Sequence, residues 1–153
     1  MSRNYYSEIN LHLVWHTKTD APLLTPDVET ITYAWIRQKL VHTPGAYVHQ
    51  IGGTENHVHV CVTVAPTIPI SDLVGQLKGG SAHEVNQTIG LRSKRLQWQT
   101  GYGVVSFGTR DLAWVKVYVR DQRKHHGAGT THDRLERTVQ QDKGSKPPPR
   151  EPP

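Results

Sequence analysis

The stretch His57-Val58-His59-Val60-Cys61-Val62-Thr63-Val64 decides how this chain folds. Successive side chains of a strand point to opposite faces, so Val58, Val60, Val62 and Val64 line one face and His57, His59, Cys61 and Thr63 the other. Four valines at period two fit a pleated, half-buried surface and not a helix of period 3.6. The valine face must pack on a core, and the opposite face carries two imidazoles side by side.

Upstream, Gly52-Gly53-Thr54-Glu55-Asn56 reads as a turn that joins this strand to another over 46–51. Residues 9–16 alternate again, with Ile9, Leu11, Leu13 and Trp15 on one face and Asn10, His12, Val14 and His16 on the other. Between these strands Thr25-Pro26-Asp27 is a helix start, with Thr25 as N-cap and Pro26 at the first helical position. Val28, Ile31, Trp35 and Leu40 follow at roughly helical spacing until Thr43-Pro44-Gly45. Downstream, a second helix is predicted over 71–78, interrupted at Gly79-Gly80 and resumed over 81–87. The basic run Arg92-Ser93-Lys94-Arg95 reads as loop, 102–107 as a fourth strand, and a last helix runs from Thr109 or Arg110 to His125, closed by Gly127. The order is β-α-β-β-α-β-α. Its first six elements match the ferredoxin-like split βαβ arrangement, an α+β fold in which an antiparallel sheet carries two helices on one face.

At 153 residues the chain suits a single domain. That domain is expected over 1–126. Residues 127–153 hold few apolar side chains and end Lys146-Pro147-Pro148-Pro149-Arg150-Glu151-Pro152-Pro153, which reads as a disordered tail with a helical turn around 134–141. No run approaches eighteen apolar residues and the N-terminus has no apolar signal core, so a membrane span and a cleavable leader are both excluded and a cytoplasmic location is expected. The lone Cys61 excludes a disulfide framework and zinc-finger sites. Net charge is +5, and 13 Lys/Arg against 9 Asp/Glu before residue 127 make a polyanion a natural partner.

His57 and His59 on one strand face can hold a metal ion, although two polar residues on a solvent face need no function. Tyr118 and Gln122, four apart in the last helix, share one helix face. Alone, Tyr118 is as well explained as an aromatic anchor. Together the four have a chemical logic: neutral imidazoles and an amide oxygen leave a divalent cation its charge, and a tyrosine is a nucleophile for phosphorus. Lys78, Arg92, Lys94, Arg95, Arg120, Arg123 and Lys124 are candidates for phosphate contact, and Trp98 and Tyr102 for stacking on unpaired bases. Cys61 reads as an inert packing thiol.

From Tyr5 to His126 the chain resembles the single-tyrosine HUH transposases, the insertion-sequence-200-like group. The resemblance is carried by Asn56-His57-Val58-His59, Leu77-Lys78-Gly79, Trp98-Gln99-Thr100-Gly101-Tyr102-Gly103 and Tyr118-Val119-Arg120-Asp121-Gln122 with His125-His126. It implies that His57, His59 and Gln122 hold Mg²⁺ or Mn²⁺ and that Tyr118 attacks single-stranded DNA, often beside a hairpin. A 5′-phosphotyrosine link and a free 3′-hydroxyl would follow. It also implies a homodimer in which the last helix of one subunit completes the partner's site. Two departures stand out: Asn56 occupies a position often acidic in the group, and His16-Thr17-Lys18-Thr19-Asp20-Ala21-Pro22 is less basic than usual. Two other functions suit the same fold, a non-catalytic single-strand-binding module and a metal-dependent phosphoesterase that uses water. The first has no need of Tyr118, and the second leaves no covalent adduct.

Overall fold

The computed structural model describes residues 4–90 and 94–139. Strands β1 (Asn10–His16), β2 (Ala46–Thr54), β3 (His57–Val64) and β4 (Gly103–Phe107) form one antiparallel sheet in the order β2-β3-β1-β4. Helices α1 (Pro26–Val41) and α2 (Ile70–Ile89) lie against the valine face. Their buried stripes are Val28, Thr32, Ile36 and Leu40 on α1, and Leu73, Leu77, Ser81 and Val85 on α2, both at steps of four. The four β3 valines, Leu11, Leu13 and Trp15 complete this core. The α+β, ferredoxin-like reading holds. Among the described residues no helix is long and apolar enough to cross a membrane.

Four details differ from the expectation. Helix α2 continues through Gly79-Gly80, because Gly80 is a contact rather than a break: a Cβ there would stand 2.0 Å from the Trp35 ring, so its absence lets α1 and α2 close together. Strand β2 runs on to Thr54, leaving only Glu55 and Asn56 as the hairpin loop. The histidine face of β3 is not open to solvent. It is covered by α3 (Leu112–Arg120), which packs on β2 and β3, so that Cys61 sits in a second small core with Val115, Val119, Phe107 and Leu112. The expected single last helix is two, α3 and α4 (Gln122–Ala128), broken at Asp121, where the backbone leaves helical geometry with φ −98° and ψ 30°.

The expected domain end after His126 falls inside α4. The helix stops instead at Gly129, whose left-handed φ of +67° suits a residue without a side chain. The chain then turns back through α5 (Asp133–Glu136), which packs on β1 and β4 and buries Leu135. The backbone carbonyl of Arg137 lies against Gly103, where a Cβ would stand only 1.8 Å from it. The remaining part of the expected tail, 140–153, lies outside the described residues.

Gly52 sets the height of α3. A Cβ there would meet the Val119 carbonyl at 1.8 Å, a backbone contact that no rotamer can relieve. Gly52→Ala is expected to lift α3 from the sheet, lowering stability by about 1–3 kcal/mol, as overpacking does; chemical denaturation measures it, and an unchanged midpoint would mean that the helix does not depend on this approach. Truncation after His126 removes the Gly129 stop and the buried Leu135 together. A loss of several degrees in Tm is expected, whereas a melt identical to that of the full chain would return 127–139 to the status of a dispensable tail.

Candidate active site

The site lies where β1, β3 and the end of α3 meet. The antiparallel register sets Val14 opposite His59 and His16 opposite His57, while Gly52 and Thr54 of β2 flank the same two histidines from the other side. His57 and His59 are buried, with ring centroids 4.9 Å apart. Their neighbours fix which nitrogen of each ring faces inward. His57 Nδ1 is 2.7 Å from Asn56 Oδ1 and 2.8 Å from Thr54 Oγ1, which leaves Nε2 turned into the site. His59 Nδ1 lies 2.7 Å from Nε2 of His12, a fully buried residue of β1. His59 Nε2 is buried without a hydrogen-bond partner; the Glu136 carboxylate is 3.2 Å away but poorly aligned.

Helix α3 delivers Tyr118, whose ring meets that of His59 edge-on at 6.1 Å. The kink at Asp121 turns Gln122 inward. Its amide donates to the Tyr118 carbonyl at 3.0 Å, so the oxygen is directed at His57 Nε2, 3.4 Å away. The expected grouping of His57, His59, Tyr118 and Gln122 is therefore assembled within one chain.

Three further residues complete it. His126 Nε2 lies 3.1 Å from both His57 Nε2 and Gln122 Oε1. Glu136 of α5 accepts a hydrogen bond from the Tyr118 hydroxyl at 2.5 Å and reaches His59 and His126 at 3.2 and 3.4 Å. The backbone N–H of His132 donates to the Tyr118 oxygen at 2.9 Å. Trp114, half exposed, stacks on the Tyr118 ring at 5.7 Å. The signal for His126 was in the sequence: Tyr118, Gln122 and His126 form one stripe at steps of four. His12 stood on the same polar strand face as the other histidines. Nothing local marked Glu136, an acidic residue in a polar segment.

Donor atoms of His57, His59, His126 and Glu136 all lie within 4.8 Å of one another, close to the span of ligands about a single cation with bonds of about 2 Å. The Nε2 atoms of His59 and His57 both face this point, and with the ring protons on Nδ1 both are lone pairs for a cation, so the residues fit a divalent metal. A cavity of about 210 Å³ bounded by His16, Asp20, Asn56, His57 and His126 leads to it.

Electrostatics follow from burial. His12 and His57 are each pushed down to about 3, by burial first and then by the neighbouring His59, and His59 is itself lowered by burial. All three are neutral at neutral pH, the form a metal needs. Burial and the Glu136 contact push Tyr118 up to about 12. Burial opposes ionisation of Glu136, but contact with His59 and the Tyr118 hydroxyl outweighs it and holds the carboxyl down to about 2. The resting pair is a phenol facing a carboxylate.

Other candidates are distributed unevenly. The Lys78 ammonium is half-buried and donates to the carbonyls of Gln99 and Gly101 at 2.8 and 2.9 Å, so it ties down the loop before β4. Arg92 lies outside the described residues. Lys94 and Arg95 line a cavity of about 440 Å³ with Lys18 and Gln97. Arg120 pairs with Asp121 at 2.8 Å, and Arg123 with Glu29; both arginines are exposed and, with Lys124, border a cavity of about 300 Å³ beside Gly52. Trp98 packs edge-on against Trp15 and donates to Ser81, and Tyr102 is packed against the main core. Burial pushes the Cys61 thiol up to about 12, consistent with an inert packing group.

A neutral buried histidine binds a proton more readily once unfolded, where its pKa returns to about 6.5. Its contribution to stability is thus complete above about pH 6.5 and is lost as pH falls toward 3. With EDTA present, Tm is expected to fall steadily from pH 7 to pH 4, and the fall should be shallower in His12→Leu. A flat profile in the unaltered protein would show that these imidazoles gain protons without cost.

No curated protein matches the chain. A solved structure of a protein assigned as a transposase from Deinococcus radiodurans R1 is similar to it, with a TM-score of 0.61 and 22% identity over 80% of this chain and 96% of that one. A second is a REP-associated tyrosine transposase bound to a REP hairpin, with a TM-score of 0.56 and 16% identity over 86% of this chain and 75% of that one. At these identities they bear on the fold, which they share. The family described as "Transposase IS200 like" matches residues 5–122, from ahead of β1 through Gln122, and the chain therefore belongs to the IS200-like transposase family.

Proposed function

We propose that this protein is a metal-dependent nuclease and strand transferase for single-stranded DNA, with Tyr118 as nucleophile and His57, His59 and Gln122 as metal-holding residues. The observation that carries this reading is the meeting of Tyr118 and Gln122, one helical turn apart, with the inward-facing histidine pair, in a chain of transposase family. A bound divalent ion would supply positive charge beside a scissile phosphate.

The chain's own residues supply the rest. The Tyr118 oxygen forms a bond to phosphorus and the bond from phosphorus to the 3′-oxygen breaks. The phenolic proton ends on that oxygen, which departs as a 3′-hydroxyl, while the 5′-phosphate remains on the tyrosine. Return attack by a 3′-hydroxyl reverses these steps and joins strands without a nucleotide cofactor. At rest the hydroxyl is capped by Glu136 and His132 and the residue is 1% exposed, so a phosphate reaches it only after that segment shifts.

The neighbour bound to a REP hairpin supports a hairpin-bearing single strand as the substrate class. Lys94, Arg95, Arg120 and Arg123 are exposed cations and are assigned here to its phosphates. Because α3 reaches the histidines of its own chain, the proposed site residues meet within one chain.

The test is a denaturing-gel assay of the full chain with labelled single strands and duplexes, in Mg²⁺, in Mn²⁺ and in EDTA. A covalent adduct is expected on single strands only, absent in EDTA, in Tyr118→Phe and in His57→Ala/His59→Ala. Cleavage that persists in Tyr118→Phe would make water the nucleophile. Binding without cleavage, unaffected by EDTA, would reduce the protein to a binding module.

A further inference from the structure

We propose that His126 and Glu136 join His57 and His59 as ligands of one metal centre, and that this nitrogen-rich set, carrying a single negative charge, selects a first-row transition ion such as Mn²⁺, Co²⁺ or Zn²⁺ over Mg²⁺. The proposal rests on the metal-dependent reading above and specifies the cofactor and two more of its ligands.

The argument begins with hydrogen-bond accounting. Asn56 Oδ1 accepts only, so the proton of His57 lies on Nδ1 and its Nε2 is a bare lone pair. With Nδ1 donating to His12 Nε2, 2.7 Å away, His59 turns a buried Nε2 lone pair to the same point. The Gln122 oxygen is aimed at the same point because its amide nitrogen is engaged by the Tyr118 carbonyl. A Glu136 carboxylate oxygen lies 3.6 Å from His57 Nε2 and 3.2 Å from His59 Nε2. Two imidazole lone pairs, an amide oxygen and a carboxylate thus converge, and His126 adds a third imidazole with Nε2 at 3.1 Å from that of His57. Donor atoms gathered this closely can share one cation in place of the ring proton that His59 otherwise turns toward Glu136. A first-row cation satisfies all of them at once.

The donor types then choose the ion. Mg²⁺ takes oxygen ligands in near-ideal octahedral geometry and keeps several waters, whereas three imidazoles favour the first-row transition ions, Zn²⁺ and Co²⁺ most and Mn²⁺ least among them. The reach of Glu136 is a built feature rather than a passing contact. Leu135 beside it is buried, and the Arg137 carbonyl packs where Gly103 lacks a side chain.

Metal binding by the full chain, without DNA, tests this. Mn²⁺ affinity is read by electron paramagnetic resonance and Co²⁺ coordination by its d–d absorption, each in competition with Mg²⁺. The variants are Glu136→Gln, His126→Ala and His57→Ala/His59→Ala, with folding checked by circular dichroism. Mn²⁺ is expected to stay bound against a large excess of Mg²⁺. Glu136→Gln and His126→Ala should each weaken Mn²⁺ by at least about tenfold, since even residues that only support metal ligands cost that much, and should change the Co²⁺ bands. His126 is largely exposed, so its variant serves if the Glu136 variant is unstable. Unchanged affinity and spectra in both, with binding lost only in His57→Ala/His59→Ala, would overturn this proposal and leave the proposed function standing. Displacement of Mn²⁺ by comparable Mg²⁺ would overturn the selectivity. Metal binding undiminished in His57→Ala/His59→Ala would remove the metal centre itself, and with it both readings.

Discussion

The approach of α3 to β2 at Gly52 is the constraint on which the rest of the arrangement depends. The Val119 carbonyl occupies the space of a missing Cβ, so the helix lies low enough on the sheet for Val115 and Val119 to bury Cys61. At that height Tyr118 comes edge-on to His59, and the turn at Asp121 brings Gln122 toward His57. A helix standing even one methyl group higher would separate Tyr118 from the histidines while leaving the main core intact. Stability and chemistry are therefore drawn from different faces of one sheet, with α1 and α2 serving the first and α3 to α5 the second.

Covering the second face changes what its histidines are. Left in water, His12, His57 and His59 would titrate near neutrality; under α3 and α5 they stay neutral, and their nitrogens must be matched with one another, with Asn56 and Thr54, or with a cation. The contact between His12 and His59 orients the His59 ring, with an imidazole in the place where a carboxylate or carbonyl more often holds a ligating histidine.

Much of this was legible in the sequence, and the limits have physical causes. Period two in His57–Val64 and in residues 9–16 declared a sheet with a polar line of histidines, and the step of four between Tyr118 and Gln122 declared a shared helix face. Local pattern reports which face is polar but not what covers it, so the histidine face read as half open. Gly52 and Gly80 read as breakers because glycine marks turns and close approaches with the same letter, and only tertiary structure separates them. Glu136 was invisible because its role depends on a chain reversal at Gly129 in a segment whose composition resembles a tail.

The position of α3 to α5 along the chain has a consequence for biosynthesis. Both the central strands and the α1–α2 cover precede, along the chain, the residues that close the second face. A chain that has emerged only through β3 lacks the cover that α3 and α5 give His12, His59 and Cys61. Only when residue 136 has left the ribosome is the tyrosine capped and the cluster enclosed, so the reactive centre is the last part of the described fold to come into being.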